Sequence, residues 1–202
     1  MTEAIDLSLG TLDPSFCDRP RDTVSAYAPR LGLPILRRLV AQHHGVTAEH
    51  VAIFAGASMA LTCAFHATPR AGPVLLPCPG FPAYRGVLDL LGRKTACYAL
   101  DDGWLPKLEK SVAQADAGAL LLNSPGNPMG NVISDGDRDR LLRLARDTLL
   151  ILDETYAGLE FRGSGSSGPL MGPAPGVIRI GSVSKRFAAP GLRIGYAIAE
   201  PD

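Results

Sequence analysis

The segment Ser182-Val183-Ser184-Lys185 follows one apolar run and precedes Pro190-Gly191-Leu192-Arg193-Ile194-Gly195-Tyr196, the start of another. It places a lysine at a strand end, and open α/β sheets bind ligands outside the carboxyl ends of their strands. A lysine held there among cationic neighbours, or away from water, loses its proton more easily and becomes a usable nucleophile. Alone, Ser-x-Ser-Lys marks only a solvated loop lysine, and it is the other segments that reverse that reading. Asp153-Glu154-Thr155-Tyr156 closes the run 149–153 and sends a carboxylate toward the same crevice. A pyridine ring acts as an electron sink only while its nitrogen is protonated, and a buried carboxylate stabilises that cation. Taken in isolation, the same aspartate caps a turn. Tyr156, one short turn later, is placed to hydrogen-bond a ring oxygen.

Three more segments end strands. Asn123-Ser124-Pro125-Gly126-Asn127-Pro128-Met129-Gly130 has the Pro and Gly content of an irregular loop, holding Asn127 with an amide that both donates and accepts. Gly56-Ala57-Ser58 joins a strand to a helix, where free backbone N–H groups and the helix dipole favour an anion such as phosphate. Arg193 adds a bidentate cation and Ser182 a hydroxyl to that anion. Phe81, in Pro79-Gly80-Phe81-Pro82-x-Tyr84, is an aromatic able to stack on a flat ring, although an aromatic at a helix start is more often core. Tyr27 lies ahead of the sheet and has no local explanation. Each of these is weak singly; an Asn-Pro or a strand-Gly-helix turn occurs everywhere.

Short Val/Ile/Leu runs alternating with amphipathic stretches must position these residues, a rhythm that signals βα units and an α/β fold with a mostly parallel sheet. Strands are expected at 51–54, 74–77, 95–100, 119–123, 149–153, 177–182 and 193–199. The last follows its neighbour too closely for a helical crossover, so it is expected to run antiparallel. Helices are expected at 34–44, 58–67, 82–91 and 135–147, the last with Ser134 as its cap and Asp137 in its first turn. The Gly/Ser stretch 163–168 reads as a surface loop rather than an interdomain linker. The length of 202 residues suits one large domain. Twenty basic and 20 acidic residues balance to zero net charge, so no long-range field draws nucleic acid or an anionic membrane, and small molecules are the expected partners. No apolar run approaches the roughly 18 residues of a membrane helix. Cys17, Cys63, Cys78 and Cys97 are widely spaced, and Met1-Thr2-Glu3-Ala4 starts no signal peptide, so a reduced, cytoplasmic protein without a metal site is expected.

Taken together and in this order, the segments resemble the class I/II aminotransferases among the fold-type I pyridoxal 5'-phosphate (PLP) enzymes, over nearly the whole chain. Ser182-x-Ser-Lys185 with Gly191-x-Arg193-x-Gly195-Tyr196 resembles the family's lysine signature, Asn127-Pro128-x-Gly130 its Asn-Pro-Thr-Gly, and Asp153-Glu154-x-Tyr156 its Asp-Glu-x-Tyr. The resemblance implies a seven-stranded large domain with helices on both faces, spanning 15–202 after an N-terminal segment 1–14. It implies a Schiff base on Lys185, Asp153 on the ring nitrogen, and Asn127 and Tyr156 on the ring oxygen. It further implies Phe81 stacked on the ring, and Ala57, Ser58, Ser182 and Arg193 on the phosphate. Tyr27 then reaches the phosphate of a neighbouring subunit in a homodimer, and Gly10, in Leu7-Ser8-Leu9-Gly10, lies near the substrate carboxylate. Met129 stands where the family has Thr, and Cys78 where Asp is common. The sequence stops at Asp202, just past the last strand of that domain, so the small domain and its carboxylate-binding arginine are expected to be missing, in a truncated or naturally fragmentary chain. Transamination between an amino acid and a 2-oxo acid is the first expectation. Decarboxylation, elimination and cyclisation use the same core residues, and a non-catalytic PLP-binding module or remnant is the alternative of another class.

Overall fold

The computed structural model describes residues 27, 29–69, 71–100, 104–160 and 172–201; Gly10, the segment 1–14 and the loop 163–168 lie outside the described residues. The apolar runs form β1 (Val51–Ala55), β2 (Val74–Cys78), β3 (Thr95–Ala99), β4 (Ala119–Asn123), β5 (Leu149–Asp153), β6 (Val177–Ser182) and β7 (Ile194–Ile198). They make one sheet in the order β1-β7-β6-β5-β4-β2-β3. From β6 to β3 the pairs are parallel, and β7 is antiparallel to both β6 and β1. Between β6 and β7 the chain holds only the short helix α6 (Val183–Arg186; the five helices before it follow below) and a 3-10 turn at Pro190–Leu192. A parallel crossover needs about a dozen residues or more, so the chain turns back instead. The reversal matters for chemistry, because β7 starts at the rim where the six other strands end.

Five longer helices cover this sheet. α2 (Ala57–Ala67) and α3 (Ala83–Leu90) lie on one face, where Leu61, Phe65 and Leu88 meet Leu76, Leu121 and Ile151. α4 (Trp104–Ala115) and α5 (Arg138–Leu144) lie on the other, with Leu108, Val112 and Leu141 against Leu120, Leu122 and Leu152. Successive strand residues point to opposite faces, and β4, buried along its whole length, therefore reads as an unbroken apolar run rather than an alternating one. α1 (Pro34–His44) packs Ala41 on Val51 and Ile198. It starts with Pro34 in its first turn and stops at Gly45, whose left-handed φ of 65° returns its amide to the carbonyls of Ala41 and Gln42. Among the described residues no helix is long and apolar enough to cross a membrane.

Four local expectations change. The crossover 104–115 is helical although the sequence reading left it unassigned; Pro106 sits in its first turn, where a missing N–H costs nothing. The expected helix at 135–147 is a 3-10 turn, Asp135–Asp137, followed by α5, and Ser134 donates to the Asp137 carboxylate (2.6 Å) instead of capping the backbone. Arg193 is outside β7, in the left-handed region (φ 50°), because it closes the preceding turn. The expectation of reduced cysteines fails for Cys78 and Cys97, which form a disulfide across the adjacent strands β2 and β3, their Cα atoms 5.7 Å apart.

On the α1 side of the sheet lies a buried ion pair. Arg179, 1% exposed, donates to Glu154 Oε2 from Nε (2.8 Å) and Nη2 (2.7 Å). Nη2 also meets His44 Nδ1 at 3.1 Å, and His44 Nε2 meets the Tyr196 hydroxyl at 2.9 Å. Burial, then the charges of Arg179, His43 and Arg186, push His44 down to about 3, so it stays neutral, with Nδ1 accepting from Arg179 and Nε2 donating to Tyr196. Removing one partner of such a pair costs about 3–5 kcal/mol. Arg179→Met is expected to lose stability in that range in denaturant unfolding, and R179M/E154L is expected to lose less than the single variant.

Candidate active site

Asp153 ends β5 and is 4% exposed. Its Oδ1 accepts from the Thr155 amide (2.9 Å) and the Thr155 hydroxyl (2.5 Å), and its Oδ2 from the Tyr84 hydroxyl (2.6 Å). Burial pushes the carboxyl above the usual aspartate range, and these hydrogen bonds only partly offset it. One strand over, Asn123 is in register with Asp153, donates from Nδ2 to the Asp153 carbonyl (3.0 Å), and accepts the Asn127 amide on Oδ1 (2.7 Å). The loop that begins at Ser124 is thereby pinned from its first residues, with Asn127 Nδ2 at 3.5 Å from the Tyr156 hydroxyl.

On the other side of Asp153 the chain leaves β6 through Ser182, whose Oγ accepts the Ser184 amide (3.0 Å) and starts α6. Lys185 follows within that single turn, exposed, with Nζ 5.6 Å from the centre of the Tyr156 ring. Beyond it the β1–α2 turn meets the start of β7 at van der Waals limits. Gly56 takes φ 85°, and a Cβ there would fall 2.5 Å from an Arg193 guanidinium nitrogen; a Cβ on Gly195 would fall 2.2 Å from the Gly56 carbonyl carbon and 2.4 Å from the Ala57 nitrogen. Two glycines thus allow the Arg193 guanidinium and the first amides of α2 to share one corner.

These groups line a single cleft of about 240 Å³. Every described residue singled out from the sequence lines it except Tyr27: Ala57 and Ser58 at the start of α2, Phe81, Asn127, Asp153, Tyr156, Ser182, Lys185 and Arg193. Tyr27 is 72% exposed, outside the cleft. The cleft also takes in Tyr84, Thr155 and Ser184, which sequence reasoning did not assign. Thr155 was hidden as the variable position of Asp-Glu-x-Tyr. Tyr84 had one signal, its place three residues after Phe81, which puts both on one side of a helix turn.

A parallel sheet with one reversed strand and helices on both faces is the architecture of an aminotransferase large domain. The chain belongs to the aminotransferase class I and II family, which it matches over residues 19–202. It is 34% identical over 191 residues to the probable aminotransferase TAT2 of Arabidopsis thaliana, covering 85% of this chain and 45% of that one. An aspartate aminotransferase double mutant from Thermus thermophilus superposes with a TM-score of 0.76 at 29% identity, over 87% of this chain and 49% of that one. Histidinol-phosphate aminotransferase from Sinorhizobium meliloti, solved in complex with pyridoxal-5'-phosphate, gives 0.70 at 27%, over 83% and 46%. The chain therefore spans about half the length of these relatives.

The family is PLP-dependent, and the residues present fit that group: a carboxyl raised by burial suits a ring N–H, and the glycine-bounded corner suits a phosphate. Overpacking costs about 1–3 kcal/mol. Gly195→Ala is expected to lose stability in that range, because backbone atoms and not a flexible side chain must give way, and to weaken PLP binding at least about tenfold. Thermal unfolding and a fluorescence titration with PLP read the two effects.

Proposed function

We propose that this chain is the cofactor-binding domain of a PLP-dependent aminotransferase that exchanges an amino group between an amino acid and a 2-oxo acid. The observation that carries the reading is that Lys185, just after β6, and Asp153, at the end of the adjacent β5, line the same cleft. When bound, PLP supplies a ring that accepts the electron pair left as a bond to the substrate α-carbon breaks. Asp153 holds the proton on the ring nitrogen. Tyr156 and Asn127 donate to the ring oxygen, and Phe81, at 39% exposure, covers a ring face. The first amides of α2, at Ala57 and Ser58, bind the phosphate together with the Ser182 hydroxyl and the Arg193 guanidinium. Lys185 would hold the cofactor through its Nζ and would serve as the base that moves a proton at the substrate α-carbon.

Gly10 is assigned to the substrate carboxylate through the family resemblance alone. Tyr27 is assigned to the phosphate of a second subunit, which makes the protein a homodimer with shared sites. Support comes from the exposure of Tyr27 and of the apolar Leu31, Ile35 and Leu39 around the start of α1.

Adding PLP is expected to produce a visible absorption band, and borohydride is expected to fix the cofactor's mass on the peptide containing Lys185. Lys185→Ala is expected to lose both. A panel of amino acids is then expected to convert the bound cofactor to its amine form. Release of carbon dioxide or elimination products with no amine form would contradict transamination, and a label on another lysine would contradict the site.

A further inference from the structure

A carboxylate offers about four lone-pair sites, and three of those on Asp153 are taken. Both on Oδ1 are filled by Thr155, through its amide and its hydroxyl, and one on Oδ2 by the Tyr84 hydroxyl. Among the described residues a single acceptor site is left, the second lone pair of Oδ2, on a carboxyl that lines the cleft. Tyr84 itself is 3% exposed and held by two edge-on aromatic contacts: Phe65 from the core at 6.5 Å and Phe81 from the cleft at 5.5 Å. Its hydroxyl has no room to wander. Burial and the neighbouring carboxylate push its own ionisation well above the usual phenol range, so it keeps its proton and donates it to Asp153 Oδ2.

We propose that Tyr84 is a positioning residue of this site, one that acts through Asp153 to aim the remaining Oδ2 lone pair at the cofactor's ring nitrogen and to favour the charged pair formed there. The inference rests on the functional reading above. A hydrogen bond to an ionised acceptor is stronger than one to its neutral form, so the Tyr84 hydroxyl stabilises Asp153 most when the proton resides on the ring. Burial works the other way, toward the neutral acid, and it is the larger influence within the protein alone. Tyr84 and Thr155 therefore hold Asp153 poised, and a ring N–H completes the set. Because Phe81 packs edge-on against Tyr84, the same phenol ring also backs the side chain that covers the cofactor's face.

The test compares PLP with 1-deaza-PLP, in which the ring nitrogen is replaced by C–H. Dissociation constants come from fluorescence titration of the protein and of Tyr84→Phe, Thr155→Val and Asp153→Ala. Tyr84→Phe keeps the ring between Phe65 and Phe81 and removes only the hydroxyl. The unaltered protein is expected to prefer PLP. Tyr84→Phe is expected to shrink that preference by about tenfold, the worth of one hydrogen bond to a charged group, while its affinity for the deaza compound stays within about twofold. Thr155→Val, acting on the other oxygen, is expected to shrink the preference in the same sense. If Tyr84→Phe weakens both compounds equally, or changes neither, the inference is overturned and Tyr84 is a packing residue. If instead Asp153→Ala leaves the preference unchanged, it is the placement of Asp153 against the ring nitrogen that fails, and the role of Tyr84 falls with it.

Discussion

A carboxylate buried at the end of a central strand is the constraint on which the other features turn. Withdrawing an ionised carboxylate from water costs several kcal/mol in a protein, and each hydrogen bond to it returns about 1.5–3 kcal/mol. Asp153 accepts three such bonds and is still shifted toward its neutral form, so desolvation outweighs them. A ligand that brings a positive charge and one N–H donor to Oδ2 supplies what the protein withholds. In the proposed function, that ligand is the protonated cofactor ring.

The neighbouring residue shows the opposite solution. Asp153 and Glu154 are consecutive, and the pleat turns them to opposite faces of the sheet. Glu154 extends the β5–β6 pairing through its amide, bonded to the Ile180 carbonyl at 2.8 Å, and its carboxylate meets a permanent internal cation, Arg179. One acid is thus paired with a cation inside the fold, and the other is assigned to the cofactor only by the proposed function. The first ties β5, β6 and, through His44, α1 into one unit, so that the strand ends carrying Asp153 and Lys185 keep a fixed spacing. The reversed strand β7 completes the arrangement by bringing Arg193 to the rim. Because Gly56 and Gly195 lack side chains, the Arg193 guanidinium and the start of α2 can approach one another at that rim.

Most of the sheet was legible because burial on both faces forces continuous apolar runs, as in 119–123 and 149–153, and because the short connection after Ser182 excludes a parallel crossover. The lining of the candidate cleft was legible where chemistry demands a residue type at a strand end, as for Lys185, Asp153 and Asn127. What escaped depends on tertiary approach. Tyr84 looks like an ordinary helix aromatic until α3 packs it over β5, 69 residues away in sequence. Cys78 and Cys97 show no paired spacing, and only the adjacency of β2 and β3 brings them together. The left-handed turn at Arg193 was read as strand because Ile194-Gly195-Tyr196 continues an alternating pattern to which Arg193 fits in sequence but not in backbone conformation.

Asp153 itself offers the most direct measurement, a carbon-13 NMR titration of its carboxyl with and without PLP. A value raised in the folded chain means that the folded state holds this proton more tightly than the unfolded one. The resulting stabilisation is complete below the ordinary aspartate range and is lost as pH climbs through the raised value. The carboxyl of the cofactor-free protein is therefore expected to titrate above an ordinary aspartate, and with PLP bound to stay ionised throughout that same interval. An Asp153 that titrates at or below the ordinary value without the cofactor, or whose titration is unchanged by PLP, would contradict the claim that this buried acid awaits a ring cation.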